Sequence, residues 1–483
     1  MKKLIELIPS DVPYEVIGDS SKVVNGFSQD SRSVSKHNIF VARKGASSDG
    51  HDYIEQVLDA GIEVILCEIF PKKLRDDCCY IQCNQLHVFL SKMLNLFYEF
   101  PSQRICLVGI TGTNGKTSVA SLLYQLFYSF GYKVGLISTI VNKIHDIEFA
   151  ATHTTPELIS LYQLIDRMIQ SGCSYIFMEV SSHAIDQGRI EGLNYKIAVF
   201  TNLTHDHLDY HKTMLNYINA KKKFFDQLSK EAIAIVNIDD KNGEVMLQNT
   251  KAKRRSYSLK QPADFRTKLL DLGFEGMHLK FRDKEWHSQL LGEFNAYNLT
   301  AVLAVALELG MNETEVLEAL SKVKPIDGRF DWFYSEKSKK FGVIDYAHTP
   351  DALEKILKNL KQLRKPSQKI ICVMGCGGNR DQEKRPKMGR IGCEYSDHLI
   401  ITSDNPRDEN PEVIIQQIEN GIAEEDKKNY LSIVDRYQAI KTACMISNVG
   451  DIILIAGKGH ETYQEIKGVK TPFNDKLILK EIL

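Results

Sequence analysis

No window of this sequence approaches the ~18 uninterrupted apolar residues of a membrane span, so no membrane partner is expected. The amino terminus, MKKLIELIPSD, is basic, but its apolar stretch is too short and too interrupted for a secretory leader. An excess of charge is missing as well. Sixty-one basic and 62 acidic side chains leave a formal net charge of −1, and no global field points to nucleic acid as a partner. The basic runs Lys221-Lys222-Lys223 and Lys251 to Arg255 read by residue type as solvated faces. Cysteine is sparse: ten in 483 residues are too few for a disulfide framework. Cys78, Cys79 and Cys83 cluster, yet no second pair completes a zinc site. Reduced, mostly buried thiols, a cytoplasmic location and a monomeric state are expected.

What is present suits a folded α/β protein, and the length suggests about three domains. Residues 1–100 read as short strands and turns with one helix around Tyr53 to Ala60. Pro101-Ser102 reads as a linker, Ile105 to Val108 as a buried strand and Ser118 to Phe127 as a helix. Strand-like runs then alternate with helical ones at Lys133 to Ile137, Tyr175 to Glu179, Ile197 to Thr201 and Ala232 to Asn237. That alternation predicts a mostly parallel sheet with helices on both faces. A break falls in "VKPIDGRFDWF", and a second series follows at Gly342 to Asp345, Ile370 to Met374, His398 to Thr402 and Asp451 to Ala456. The expected domains are 1–100, a central P-loop ATPase-like 101–327 and a Rossmann-like 328–483.

In "GITGTNGKTS" a strand runs into glycines and then a lysine and a threonine. Glycines let backbone N–H groups approach phosphate oxygens, and the following helix N-terminus favours negative charge. Gly112, Thr113, Asn114, Gly115, Lys116 and Thr117 are therefore candidate ATP-binding residues, with Lys116 on the outer phosphates and Thr117 on magnesium. The strict G-x-x-x-x-G-K-[ST] pattern fails, because Ile110 stands where its first glycine belongs. Further on, "LTHDHLDYHKTMLNYINAKKKFF" is dense in metal-ligand types. A dinuclear hydrolase pattern nearly fits at His205, His207 and Asp209 but breaks at Tyr210.

Three late loops each follow a predicted buried strand, so their ends can converge on one crevice. "CGGNRD" supplies Arg380; "DNPR" supplies Asp404, Asn405, Pro406 and Arg407; "GKGHE" supplies Gly457 and Glu461. Two arginines among carboxyl and amide oxygens suit a zwitterion with more than one carboxylate. A plain capped turn is the alternative for the proline-rich loop.

Together "GTNGKT", "DYAHTPDALE" at 345–354, "GEFNAYN" at 292–298 and "GKGHE" resemble the Mur ligase family, which joins amino acids to UDP-muramoyl peptides. The resemblance implies ATP and Mg2+ as requirements, with Thr117, Glu179 and His207 at the metals. It implies that Lys221 reacts with carbon dioxide to give a carbamate, a further metal ligand; Lys116, His207 and Lys221 would be the catalytic set. Asn295, Arg329 and Asp345 would contact ATP. "QDSRSVSKHNIFVARKGASSDGHDYI" looks like the uridine-nucleotide-binding domain of the diaminopimelate- and lysine-adding members, which puts Ser31, Ala46, Ser47 and Ser48 on the UDP part. "HTTPE" and "EVSSHAIDQGRI" match the family's muramoyl-peptide site at Thr154, Thr155, Ser181, Gln187 and Arg189. The implied substrates are UDP-N-acetylmuramoyl-L-alanyl-D-glutamate and meso-diaminopimelate, the latter because lysine-adding relatives lack the DNPR arginine. Other ligases of the superfamily, adding lysine or extending folate, and a scaffold that has lost chemistry are the rival readings.

Overall fold

The aliphatic runs assemble into three larger sheets in a computed structural model that describes residues 1–45, 48–151 and 153–483. The first has five strands, in the order Glu15–Ile17, Cys79–Gln82, Val64–Cys67, Asn38–Ala42 and Gly26–Ser28, antiparallel only at the first pair. Helix Leu86–Phe97 covers one face with Phe89, Leu90, Met93 and Leu94, and the short helix Ile54–Asp59 covers the other. Gly26–Ser28 and Asn38–Ala42 run parallel, so the loops leaving them, with Ser31 and Ser48, emerge at one edge. Gly45 N–H donates to Ser48 O at 2.9 Å. Ala46 and Ser47 lie outside the described residues.

The second sheet has eleven strands. Its parallel heart runs Val134–Ile137, Tyr175–Glu179, Cys106–Thr111, Ile197–Phe200, Ile233–Asn237 and Lys253–Ser258. These inner strands are nearly continuous hydrophobic runs because helices bury both faces. Lys116–Ser129 and Glu293–Glu308 pack on one side, Leu158–Gln170 and Met214–Asp226 on the other. Antiparallel ribbons extend both ends, Val141–Ile144 with Ile147–Ala150 and the meander Phe265–Gly273, Gly276–Phe281, Lys284–Ser288. No sequence expectation covered these ribbons. Loops 112–115, 180–181 and 201–207 all leave the carboxyl edge of neighbouring parallel strands, the crevice where such sheets bind ligands.

The third sheet runs Asp331–Ser335, Lys340–Asp345, Ile452–Ala456, Ile370–Met374, His398–Ile401 and Tyr430–Ser432, parallel after its first pair. Its carboxyl-edge loops face those of the second sheet. All ten cysteines are free thiols, and all but Cys106 are buried. The basic run at 221–223 is not a solvated face: Lys221 and Lys222 are buried and only Lys223 is exposed. Their helix also buries Tyr217, Phe224 and Phe225; Lys221 lies over the Tyr217 ring and Lys222 pairs with Asp226 at 2.7 Å. No helix among the described residues is long and apolar enough to cross a membrane.

Candidate active site

The strand Cys106–Thr111 delivers the chain to Gly112, and the helix starts at Lys116. Gly115 caps that helix at φ +87°, and a Cβ there would stand 2.7 Å from Asn298 Oδ1. Only glycine combines that backbone with so close a neighbour. Lys116 is folded onto the loop, donating to Gly112 O at 2.9 Å and Thr113 O at 2.8 Å. Burial pushes its pKa down, and Glu179 and Asp206 oppose that.

Glu179 ends the neighbouring strand and is fully buried. It accepts from Thr117 Oγ1 at 2.9 Å and from Thr139 N–H and Oγ1 at 2.7 and 3.2 Å. No cationic side chain ion-pairs with it among the described residues. A buried carboxylate held by neutral donors beside the phosphate-loop hydroxyl fits a hard, oxygen-seeking cation such as Mg2+. His207 sits in the left-handed region, φ 55° and ψ 25°, at the start of Leu208–His211. Burial drives its pKa down to about 4 against the pull of Asp206, 3.5 Å away, which leaves a neutral imidazole able to coordinate. His205, His207 and Asp209 do not gather into a metal cluster, and no group of three such ligands exists among the described residues.

Lys221 reaches the same place from helix Met214–Asp226. It is 1% exposed, donates to Gly112 O at 2.8 Å and lies 4.7 Å from the Tyr217 ring centroid. Burial, reinforced by Lys116, holds its pKa well below that of an ordinary lysine. A neutral amine is the form that attacks carbon dioxide.

Arg329 arrives from the third domain. Its Nη2 donates to Thr117 Oγ1 at 3.3 Å, its guanidinium stacks over Tyr346 at 4.7 Å, and its Nε is buried without a partner. Burial raises the Asp345 pKa to about 6, moderated by Arg329 and by the backbone N–H groups of Phe330 and Ala347. Asn295 faces inward: its amide donates to Leu291 O at 2.8 Å and accepts from Asn298 at 3.0 Å. Asn298, which the sequence reading passed over, is the one against the phosphate loop. Asp351 was also missed. Its Oδ2 accepts from Asn114 Nδ2 and Thr204 Oγ1, both at 3.0 Å, and so ties the third domain to the phosphate loop.

A cleft of about 1870 Å³ opens between these domains. Thr154 and His207 line its middle-domain side; Arg380, Asp404, Asn405, Arg407, Gly457 and Glu461 line the other. Pro406 bends the loop between Asn405 and Arg407, and Arg407 holds φ 52°. Gly457 is required at φ +113°, where a Cβ would stand 2.6 Å from Asp404 Oδ2. Asn405 and Glu461 are joined at 2.7 Å and share the fully buried Lys458, at 2.9 and 2.8 Å. Lys458 was not among the expected residues, although it stands inside "GKGHE".

On the other flank Thr155 Oγ1 donates to Glu179 O at 2.7 Å, and Ser181 Oγ caps its helix by accepting from Ala184 N–H at 3.1 Å. Arg189 donates to Gln187 Oε1 at 2.8 Å and pairs with Glu157 at 3.0 Å. Glu157 also pairs, at 2.7 Å, with Arg43 of the first domain. Ser31 and Ser48 lie on loops leaving the same edge of the first sheet as Arg43 and do not line the cleft.

A family model described as the Mur ligase middle domain matches residues 110–306. Models described as "Mur ligase, glutamate ligase domain" and "Mur ligase family, catalytic domain" match 328–459 and 23–96. The chain belongs to the Mur ligase family. It is 49% identical over 480 residues, 99% of both chains, to the UDP-N-acetylmuramoyl-L-alanyl-D-glutamate--2,6-diaminopimelate ligase of Phocaeicola vulgatus. The ligase of the same name from Bacteroides fragilis is also 49% identical, with 99% of both chains covered. A solved structure titled as that ligase superposes with a TM-score of 0.68 at 32% identity, covering 95% of this chain and 94% of the other.

Proposed function

We infer that this chain is an ADP-forming ligase that adds meso-diaminopimelate to the D-glutamyl γ-carboxylate of UDP-N-acetylmuramoyl-L-alanyl-D-glutamate, a step of peptidoglycan precursor synthesis. The observation that carries this is the 49% identity over 99% of both chains, which includes the segments forming the cleft. The γ-carboxylate attacks the γ-phosphorus of ATP and releases ADP, leaving an acyl phosphate. The free amine of diaminopimelate attacks that carbonyl, inorganic phosphate leaves, and an amide remains.

Lys116 and the loop N–H groups would neutralise the triphosphate, and Arg329 would add charge across the domain junction. Thr117, Glu179, His207 and carbamylated Lys221 would hold Mg2+, which supplies charge neutralisation at the transferring phosphoryl group. Ser31, Ala46, Ser47 and Ser48 would carry the uridine end, and Thr154, Thr155, Ser181, Gln187 and Arg189 the muramoyl dipeptide. Arg407 would grip the distal carboxylate of diaminopimelate, with Asp404, Asn405 and Glu461 at its ammonium. Division of the chain near residues 100 and 327 lets the third domain close over ATP. A monomer acting in the cytoplasm completes this reading.

The test is ADP formation with ATP, magnesium and the UDP-dipeptide, with meso-diaminopimelate, L-lysine or no amino acid in parallel. Turnover confined to diaminopimelate is expected. Equal turnover with lysine removes the specificity assignment, and turnover without any acceptor removes the ligase. Arg407→Ala should cost about 2–5 kcal/mol, at least roughly thirtyfold in kcat/KM for diaminopimelate, because the partner carboxylate is left unpaired.

A further inference from the structure

Arg380 and Arg407 stand on different loops, and neither loop is regular structure. Something must fix their spacing. The loops already touch: Gly378 N–H donates to Asn405 O at 2.9 Å, and the Arg407 side chain donates through Nη1 to Gly378 O at 2.7 Å. A Cβ on Gly378 would fall 1.9 Å from Pro406 O, so the approach is as close as a chain without side chain permits.

Behind this contact lies Arg385, in the first turn of helix Lys384–Tyr395, with its side chain 0% exposed. It grips Glu409 with both nitrogens, Nη1 to Oε2 at 2.8 Å and Nη2 to Oε1 at 3.0 Å. Nη2 also donates to Gly377 O at 3.1 Å, on the Arg380 loop, and Nη1 to Gln417 Oε1 at 2.5 Å. Glu409 returns across the gap and accepts from Asn379 N–H, the residue before Arg380. Asn379 holds φ 53° there, and its side chain donates to Asp408 Oδ2 at 3.0 Å. One carboxylate thus binds a cation from the helix and a left-handed amide from the neighbouring loop.

We propose that Arg385 and Glu409 are a positioning pair that sets the separation of Arg380 and Arg407, and with it the selection of an acceptor bearing a second carboxylate. This rests on the assignment of Arg407 to that carboxylate. An ion pair with its cation fully buried and its carboxylate partly so adds little net stability over a packed apolar pair, whereas its bidentate geometry fixes direction. Glu409 has all its roles in the two loops and the helix behind them, and neither residue lines the cleft.

Glu409→Gln is the informative change. Oε1 accepts from both Asn379 N–H and Arg385 Nη2 while Oε2 accepts from Arg385 Nη1, so an amide NH2 in either position sets donor against donor at Arg385, and in the Oε1 position at Asn379 as well. KM for diaminopimelate should rise about tenfold or more, the scale of one hydrogen bond to a charged group. KM for ATP and for the UDP-dipeptide should stay within about twofold of wild type, and the lysine-to-diaminopimelate preference should increase. In an Arg407→Ala background the Glu409→Gln effect should shrink to about twofold or less, since both act on one contact. Glu409→Asp, which keeps the charge but shortens its reach, gives the same readout if the glutamine variant folds poorly. Equal damage to all three KM values, or full additivity with Arg407→Ala, overturns the proposal. Lysine use by the wild type equal to diaminopimelate use sinks the Arg407 assignment itself. A selective wild type with an unaffected Glu409→Gln variant sinks only the pair.

Discussion

Replacing Lys221 with methionine should strengthen the middle domain while removing turnover, an opposition that follows from the geometry around Nζ. The amine is 1% exposed and has a single acceptor, Gly112 O at 2.8 Å. That oxygen also accepts from Lys116 at 2.9 Å, so truncation leaves no orphan carbonyl. Burying a polar group with its hydrogens unmatched costs about 1–3 kcal/mol, and the one bond lost contributes about 1 kcal/mol. Methionine has similar length and no polar hydrogens. The net gain is up to ~2 kcal/mol, which for a domain of ~200 residues raises its melting temperature by roughly 2–8 °C. Calorimetry in carbon dioxide-free buffer reads this, with ATP used to identify the middle-domain transition by its upward shift. Loss of a ligand to the phosphoryl-neutralising metals should cost about 4 kcal/mol, roughly a thousandfold in kcat. A variant that melts lower and retains turnover would instead make Lys221 a structural cation with no part in metal binding.

Asp345 predicts a pH effect. Its pKa is raised from 3.8 to about 6, so between those values the native state holds a proton that the unfolded chain has released. Stability therefore falls as pH rises from about 4 to about 6, by at most ~3 kcal/mol. Asp345→Asn still accepts from Phe330 N–H and should lack that slope in urea titrations; an unchanged slope would locate it elsewhere. Asp351→Ala removes the contacts to Asn114 and Thr204, and kcat/KM for ATP should fall about tenfold, as for a lost hydrogen bond to a charged group. Unchanged ATP kinetics would make this tie incidental.

Local patterns carried much of the architecture. Tyr175–Glu179 and Ile370–Met374 coincide with their expected spans because each is a buried apolar run between turn residues. The antiparallel ribbon at 265–288 was missed even though Met277, Leu279, Phe281 and Trp286 alternate with polar neighbours. Its hydrophobic face is supplied by strands that pair at the edge of a parallel sheet, and the expected βα alternation gave no place for it. Within the site, residues announced by local chemistry, such as the glycines before Lys116, were legible. Lys221 was legible only through family resemblance, because a three-lysine run looks solvated until the helix packs it against Tyr217. Asn298, Asp351 and Lys458 acquire their roles from loops brought to them by the tertiary fold, Asp351 across 237 residues from Asn114 and Lys458 across 53 from Asn405. Their motifs were visible, but no spacing rule separates Asn298 from Asn295, one helical turn apart.

The most direct measurement follows the γ-carboxylate oxygen. UDP-N-acetylmuramoyl-L-alanyl-D-glutamate labelled with oxygen-18 in that carboxylate would be incubated with ATP, magnesium and meso-diaminopimelate, and the released phosphate and product weighed by mass spectrometry. One labelled oxygen is expected in each phosphate, together with an equal amount of amide product. Unlabelled phosphate, with the dipeptide recovered intact, would mean that water is the nucleophile and would contradict carboxyl activation.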